Sequence, residues 1–211
     1  PDIKGCSRTD AGVHALGFAL SFEADLRIPP EKLPLALNTK LPRDIRVLKA
    51  RVVPDGFHAR YAAHTKTYLY RIHNSAIDSP FEERYYCRIP GRLDVARMQQ
   101  AAAGFVGTHD FLALCAAHSS AAAHGDTVRT ITACGVERRG DTVEITVTAD
   151  GYLYNMVRIL AGTLCEAGAG RLDPAAVPAI LASRDRKNAG PTLPAKGLFL
   201  HHVDYGKEAE G

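Results

Sequence analysis

The amino-acid sequence predicts an α+β fold built on a largely antiparallel sheet. Three observations carry this expectation. Strand-like and helix-like segments mix without a regular βαβ alternation. The stretch from Val128 to Met156 reads as a hairpin turning near Gly140-Asp141. Helix starts with capping aspartates stand at Asp94 and Asp173. With 211 residues, 46% of them hydrophobic, the chain can bury a sizeable core as one large domain or two small ones. No short tandem repeat divides it.

Taken in order, the first feature is a turn. Asp10 sits between Thr9 and the small pair Ala11-Gly12 in SRTDAGVHALG, a setting for tight backbone geometry. LGFALSFEA then sets Leu16, Phe18, Leu20 and Phe22 at alternate positions, the period of a half-buried strand. PPEKLPLALNTKLP offers Pro30 as a helix-starting proline and a short apolar stripe that Pro42 ends, which predicts a brief helix. DIRVLKARVV and YAAHTKTYLYRIHN read as strands, the second with Tyr68, Tyr70 and Ile72 on one face and Leu69, Arg71 and His73 on the other.

From Asp94 a helix is expected to carry Met98, Ala102 and Phe105 and to stop at Gly107. LALCAAHSSAAAHGD has no clear period and reads as a mobile surface loop. The hairpin follows, with Val143, Ile145 and Val147 inward. NMVRILAGTLCEAGAG predicts a largely apolar helix with Asn155 as its cap, and DPAAVPAILASRD another with Pro174 at its first position. KGLFLHHVDY is the closing strand, with His201 and His202 expected on opposite faces.

Composition narrows the function. A net charge of +3 suits a polyanionic partner and equally an ordinary soluble enzyme. Five widely spread cysteines without a C-x-x-C pair argue against a disulfide framework or zinc ribbon and fit a reducing cytoplasm. No apolar run approaches the length of a bilayer span, so no membrane association is expected. Nine histidines form no compact ligand set, so no metal is expected, and the absence of a glycine-rich phosphate loop argues against a nucleotide cofactor.

Arg158 stands among Met156, Val157, Ile159 and Leu160, and a guanidinium in such a helix requires a carboxylate or phosphate partner. A structural ion pair meets that need. Asp10 is the candidate partner of functional interest: held by Arg8 and Arg158 it would stay ionised as a nucleophile or base, whereas an Asx-turn aspartate paired with Arg8 is the simpler alternative. Tyr68 is either core packing or a platform for a base. Arg8, Arg60, Lys66, Arg71, Arg129, Arg138, Arg139, Arg184, Arg186 and Lys187 could line a phosphate-binding cleft or simply form a solvated surface.

The segment R-T-D-A-G-V-H-A, Arg8 to Ala15, resembles the hallmark of the TruA family of tRNA pseudouridine synthases. ALNTKLPRDIRV, FHARYAAHTKTYLYRIHN, GTHDF, VRTI, YNMVRILAGTL and AGPTLPAKGLFLHHVDY resemble further blocks in the family's order. The resemblance implies isomerisation of uridine to pseudouridine in the anticodon stem-loop of tRNA, without metal or organic cofactor. It makes Asp10 the catalytic aspartate, Arg8 and Arg158 its supports and Tyr68 the residue that packs on the target base.

The implied fold is two similar α/β halves sharing one continuous, largely antiparallel sheet with helices on one side. The halves would be residues 1–73, carrying the motif, and 74–211. A homodimer acting on tRNA, not DNA, in the cytoplasm is implied as well. Two departures stand out. The family's leading Y-D-G-x-x-Y-x-G-W-Q-like strand and its helix have no counterpart, so an N-terminal truncation is expected, and Leu114 replaces the aromatic that follows HDF. The competing expectations are a catalytically impaired RNA-binding fragment of such an enzyme and a carboxylate-based glycosidase.

Overall fold

The computed structural model describes residues 1–116 and 123–206. Its strands are β1 (Lys4–Gly5), β2 (His14–Ala15), β3 (Leu20–Ser21), β4 (Thr65–His73), β5 (Cys87–Arg88), β6 (Gly107–Asp110), β7 (Val128–Arg139), β8 (Thr142–Ala149) and β9 (Leu198–Asp204). They are accompanied by the α-helices α1 (Leu33–Asn38), α2 (Val95–Ala103), α3 (Met156–Gly168) and α4 (Val177–Ser183). Among the described residues, seven strands form one sheet in the spatial order β2-β9-β4-β8-β7-β6, with β5 continuing beside β4, and β1 pairs with β3 in a separate ribbon.

The central strand is β4, whose antiparallel pairing with β8 runs unbroken from Lys66↔Ala149 to His73↔Thr142. On its other edge β9 pairs antiparallel and β5 pairs parallel at Ile72↔Cys87. The alternation read from the sequence holds here: Tyr68, Tyr70 and Ile72 are buried on the face shared with Val143, Ile145 and Val147. α2 and α3 pack on each other, α2 against β7 and α3 against β4, and enclose a core that includes Met98, Phe105, Ile159, Leu160 and Leu164. Each such side chain contributes about 1.5–3 kcal/mol by leaving water.

Local chemistry sets the helix ends. Asp94 Oδ1 accepts from the backbone N–H of Ala96 and of Arg97, capping α2 as predicted. Gly104 closes the helix earlier than the expected stop at Gly107, which instead opens β6 with φ +118°. Arg97 donates to the carbonyls of Ala167 and Leu172, satisfying the C-terminal end of α3. Asp173 caps the turn at Pro174–Ala176 that leads into α4.

Five expectations are corrected. Residues 44–53 form no strand: the side chain of Asn38 donates to Val47 O (2.9 Å) and accepts from Val47 N (2.8 Å), tying down the segment, while Ile45, Leu48 and Val52 stay exposed. The strand expected over 16–24 is only Leu20–Ser21, and Leu16, Phe18 and Leu20 point outward, because Cys6 and Ala19 join the ribbon from its inner side. Residues 112–115 are not surface loop: Ala113, Leu114 and Cys115 are buried in a tight turn beneath α4, which makes Leu114 a core residue. The rest of that predicted loop includes residues 117–122, outside the described residues. His201 and His202 are both exposed, since a bulge aligns Tyr68 with Leu200 and Thr67 with His202, leaving His201 as an extra residue. Asn155 makes no side-chain cap to α3.

Candidate active site

The turn at Asp10 forms as its residue types dictate. Val13 N donates to Asp10 O at 3.0 Å, and Gly12 adopts φ +82°, a conformation glycine enters without steric penalty. The chain then joins the edge of the sheet, where His14↔Phe199 and Ala15↔Leu200 pair in parallel. Two residues on, Gly17 approaches β9 so closely that a Cβ there would lie 2.7 Å from His201 O. The Arg8–Ala15 segment is therefore seated on β9, and Asp10 hangs from its leading end.

Arg158, in the first turn of α3, meets this turn from the opposite direction. Its Nη1 lies 3.2 Å from Asp10 Oδ2, joining residues 148 positions apart. The same nitrogen donates to Asn155 Oδ1 at 2.7 Å, and Nε donates to Leu193 O at 2.7 Å. Leu193 N returns a bond to Arg158 O. The two charged side chains keep 18% and 27% of their surface accessible, so a ligand can reach the carboxylate. Arg8 is exposed and makes no ion pair with a described residue, so of the two predicted arginines only Arg158 reaches Asp10.

Tyr68 lies beneath the motif. Its hydroxyl is 3.0 Å from Ser7 Oγ, and its ring meets that of Tyr152 edge-on at 4.9 Å. Burial pushes the Tyr68 hydroxyl above its ordinary pKa. The Ser7 hydrogen bond works against that, while the charges of Cys6 and Asp10 add to it. The hydroxyl thus keeps its proton in the neutral range. Beside it, burial lowers the Lys66 ammonium and raises the Cys6 thiol.

Sequence reasoning left three contributors without a role. His14 stacks on Phe199 at 4.8 Å and reaches Arg84 O with Nε2 at 2.9 Å, anchoring the motif to the segment before β5. Ser7 stood in the motif stretch, but its partner lies 61 residues away. Leu193 acts through its backbone carbonyl, for which no side-chain signal exists. Several arginines read as possible cleft residues are engaged in the fold: Arg71 with Glu144, Arg129 with Asp126, Arg139 with Glu137, Arg184 with Asp110, and Arg138 with Asn74 and Leu93 O.

Among the described residues, no group of three or more His, Cys, Asp or Glu is arranged to hold a metal ion, and no helix is long and apolar enough to cross a membrane. The arrangement offers a carboxylate oxygen held by a guanidinium, with a protonated phenol close by. Asp10 Oδ1 makes no hydrogen bond to a described residue and is available to a substrate carbon.

Comparison with known proteins gives this geometry its context. The family model described as tRNA pseudouridine synthase matches residues 1–62 and 101–206, which include Asp10 and Arg158. The protein named tRNA pseudouridine synthase A from Moorella thermoacetica is 49% identical over 94% of this chain and 79% of its own length. Its namesakes from Bacillus pumilus and Bacillus subtilis are 44% and 43% identical, each over 96% of this chain and 81% of their own length. A motif turn, an arginine-bearing helix and the sheet between them thus coincide with a match across most of the sequence, and the chain belongs to the tRNA pseudouridine synthase family.

Proposed function

We propose that this chain isomerises uridine to pseudouridine in the anticodon stem-loop of tRNA, with Asp10 as nucleophile. The observation that carries the reading is the 3.2 Å pair between Asp10 and Arg158, which holds one carboxylate oxygen and leaves the other open. The names of the relatives supply the tRNA and the pseudouridine.

The reaction balances without an outside reagent. The Asp10 carboxylate attacks C1′ as the N1–C1′ bond breaks, the uracil turns, and C5 bonds to C1′ as the ester bond to Asp10 breaks and frees the carboxylate. One proton leaves C5 and one is gained at N1. Arg158 orients the carboxylate, and Arg8, exposed beside the same turn and unpaired with any described residue, is placed to meet the substrate. Tyr68 packs against the extruded base, its position set by Ser7 and Tyr152. We extend the same reading to the assembly, a homodimer working in the cytoplasm, and to its halves, with the motif in residues 1–73 and Arg158 in 74–211.

Asp10→Asn tests the reading, since the amide preserves the turn but cannot act as a nucleophile. Pseudouridine formation on a tRNA transcript is expected to vanish, with the thermal midpoint and tRNA affinity unchanged. Substantial turnover by that variant overturns the assignment of Asp10. A wild-type chain that binds tRNA but forms no pseudouridine identifies it instead as an impaired RNA-binding fragment.

A further inference from the structure

We infer that Asn155 is a positioning residue for the Asp10–Arg158 pair, an inference that rests on the reading of Asp10 as nucleophile. By sequence, Asn155 should cap α3, and its backbone does open the helix, since Ile159 N donates to Asn155 O. Its side chain does something else. Asn155 adopts the left-handed region, φ 62° and ψ 5°, and makes no side-chain bond to the helix N–H groups. Asn is one of the few non-glycine residues that enter this region readily, and here it forgoes its usual capping use. Both departures turn Oδ1 onto Arg158 Nη1 at 2.7 Å, the nitrogen that also donates to Asp10.

The consequence lies in guanidinium geometry. Arg158 is gripped by oxygens from three separate segments: the Asp10 turn, the start of α3, and Leu193. The Nε bond to Leu193 fixes one edge of the planar group, and the Asn155 bond fixes the rotation that aims the remaining Nη1 proton at Asp10. An amide is a neutral acceptor. It orients the guanidinium without competing for its charge, so the full attraction acts on the Asp10 carboxylate. Asp10 hangs from a turn, and its carboxylate takes its orientation from Arg158.

Asn155→Gly isolates this role, because glycine accepts the left-handed backbone and removes only the acceptor. Single-turnover pseudouridine formation on a tRNA transcript is expected to slow about tenfold, the scale of one hydrogen bond to a charged group. The thermal midpoint and tRNA affinity are expected to stay unchanged. In an Arg158→Lys background, where the fork is absent, the same Gly substitution should alter the rate less than about twofold, the coupling expected of a residue that acts through Arg158. In 15N-arginine-labelled protein, the Arg158 Nη protons should exchange with water faster in Asn155→Gly, a readout independent of turnover. An unchanged rate and unchanged exchange in Asn155→Gly, beside an inactive Asp10→Asn, overturns the role of Asn155 alone. An equal loss in the Arg158→Lys background also overturns it, since Asn155 would then act by another route. Full activity in Asp10→Asn overturns the parent reading.

Discussion

Replacing Gly162 by alanine should destabilise this protein and slow its chemistry, although helix propensity alone predicts the reverse. In a helix interior alanine is favoured over glycine by about 1 kcal/mol. Gly162, however, faces the segment that holds Arg158. A Cβ built there would sit 1.9 Å from Pro191 O and 2.9 Å from Pro191 C, and both are backbone atoms that no side-chain rotation can clear. The segment is equally tight from its own side, where a Cβ on Gly190 would lie 2.4 Å from Thr163 N. Gly190 N donates to Thr163 Oγ1 at 2.9 Å, and Leu193 O receives Arg158 Nε at 2.7 Å. The strand of chain from 190 to 193 must therefore retreat by about 1 Å, a displacement that can cost on the order of a hundredfold in rate when it moves a catalytic group. Overpacking of this kind costs about 1–3 kcal/mol, or a thermal midpoint lower by roughly 2–12 °C for a chain of this size. Circular-dichroism melts and single-turnover assays at 25 °C measure the two effects separately. A Gly162→Ala protein that melts at or above the wild type and retains the full rate would refute the claim that α3 pins this segment beside Arg158.

Other expectations follow from the same structure. Affinity for tRNA should fall steeply between low and physiological salt, because phosphate contacts release counterions; a flat filter-binding titration contradicts a basic RNA-binding surface. Burial pushes the Cys134 thiol up to about 12 and raises Cys6, Cys87, Tyr68 and Tyr70 as well. The unfolded chain releases these protons from about pH 8.5 for thiols and about 10 for phenols while the folded chain retains them. Stability is thus complete below about pH 8 and declines toward pH 12, so melts under reducing conditions should shift downward from pH 8 to 10.5, and a level profile contradicts this. Ile145→Ala, at a fully buried position on β8, should cost about 2–5 kcal/mol in urea denaturation. Asn38→Ala removes both bonds to Val47 and should expose residues 44–53 to limited proteolysis with little change in the global midpoint.

Much of the fold was legible because its signals are local. The two-residue alternation of β4 and of the hairpin, and the aspartates before α2 and Pro174, act through neighbours a few residues away, and β4, β7, β8, α2 and α4 formed accordingly. The R-T-D-A-G-V-H-A motif likewise marked Asp10 and its turn. Tertiary structure decided what local signals leave open. Alternation at Leu16, Phe18 and Leu20 fixes that these side chains share a face but not which face is covered, and residues 44–53 carry strand-like composition without finding a sheet edge to pair with. Arg158 declared by its apolar surroundings that it needed a partner, while the pairing of Asp10 with Arg158 and not with Arg8, the recruitment of Leu193 O, and the diversion of Asn155 from cap to clamp all depend on segments brought together across the sheet. A side chain's need for a partner is written in its own chemistry, but the partner's identity is set by which distant backbone the packed core leaves within 3 Å or so of it.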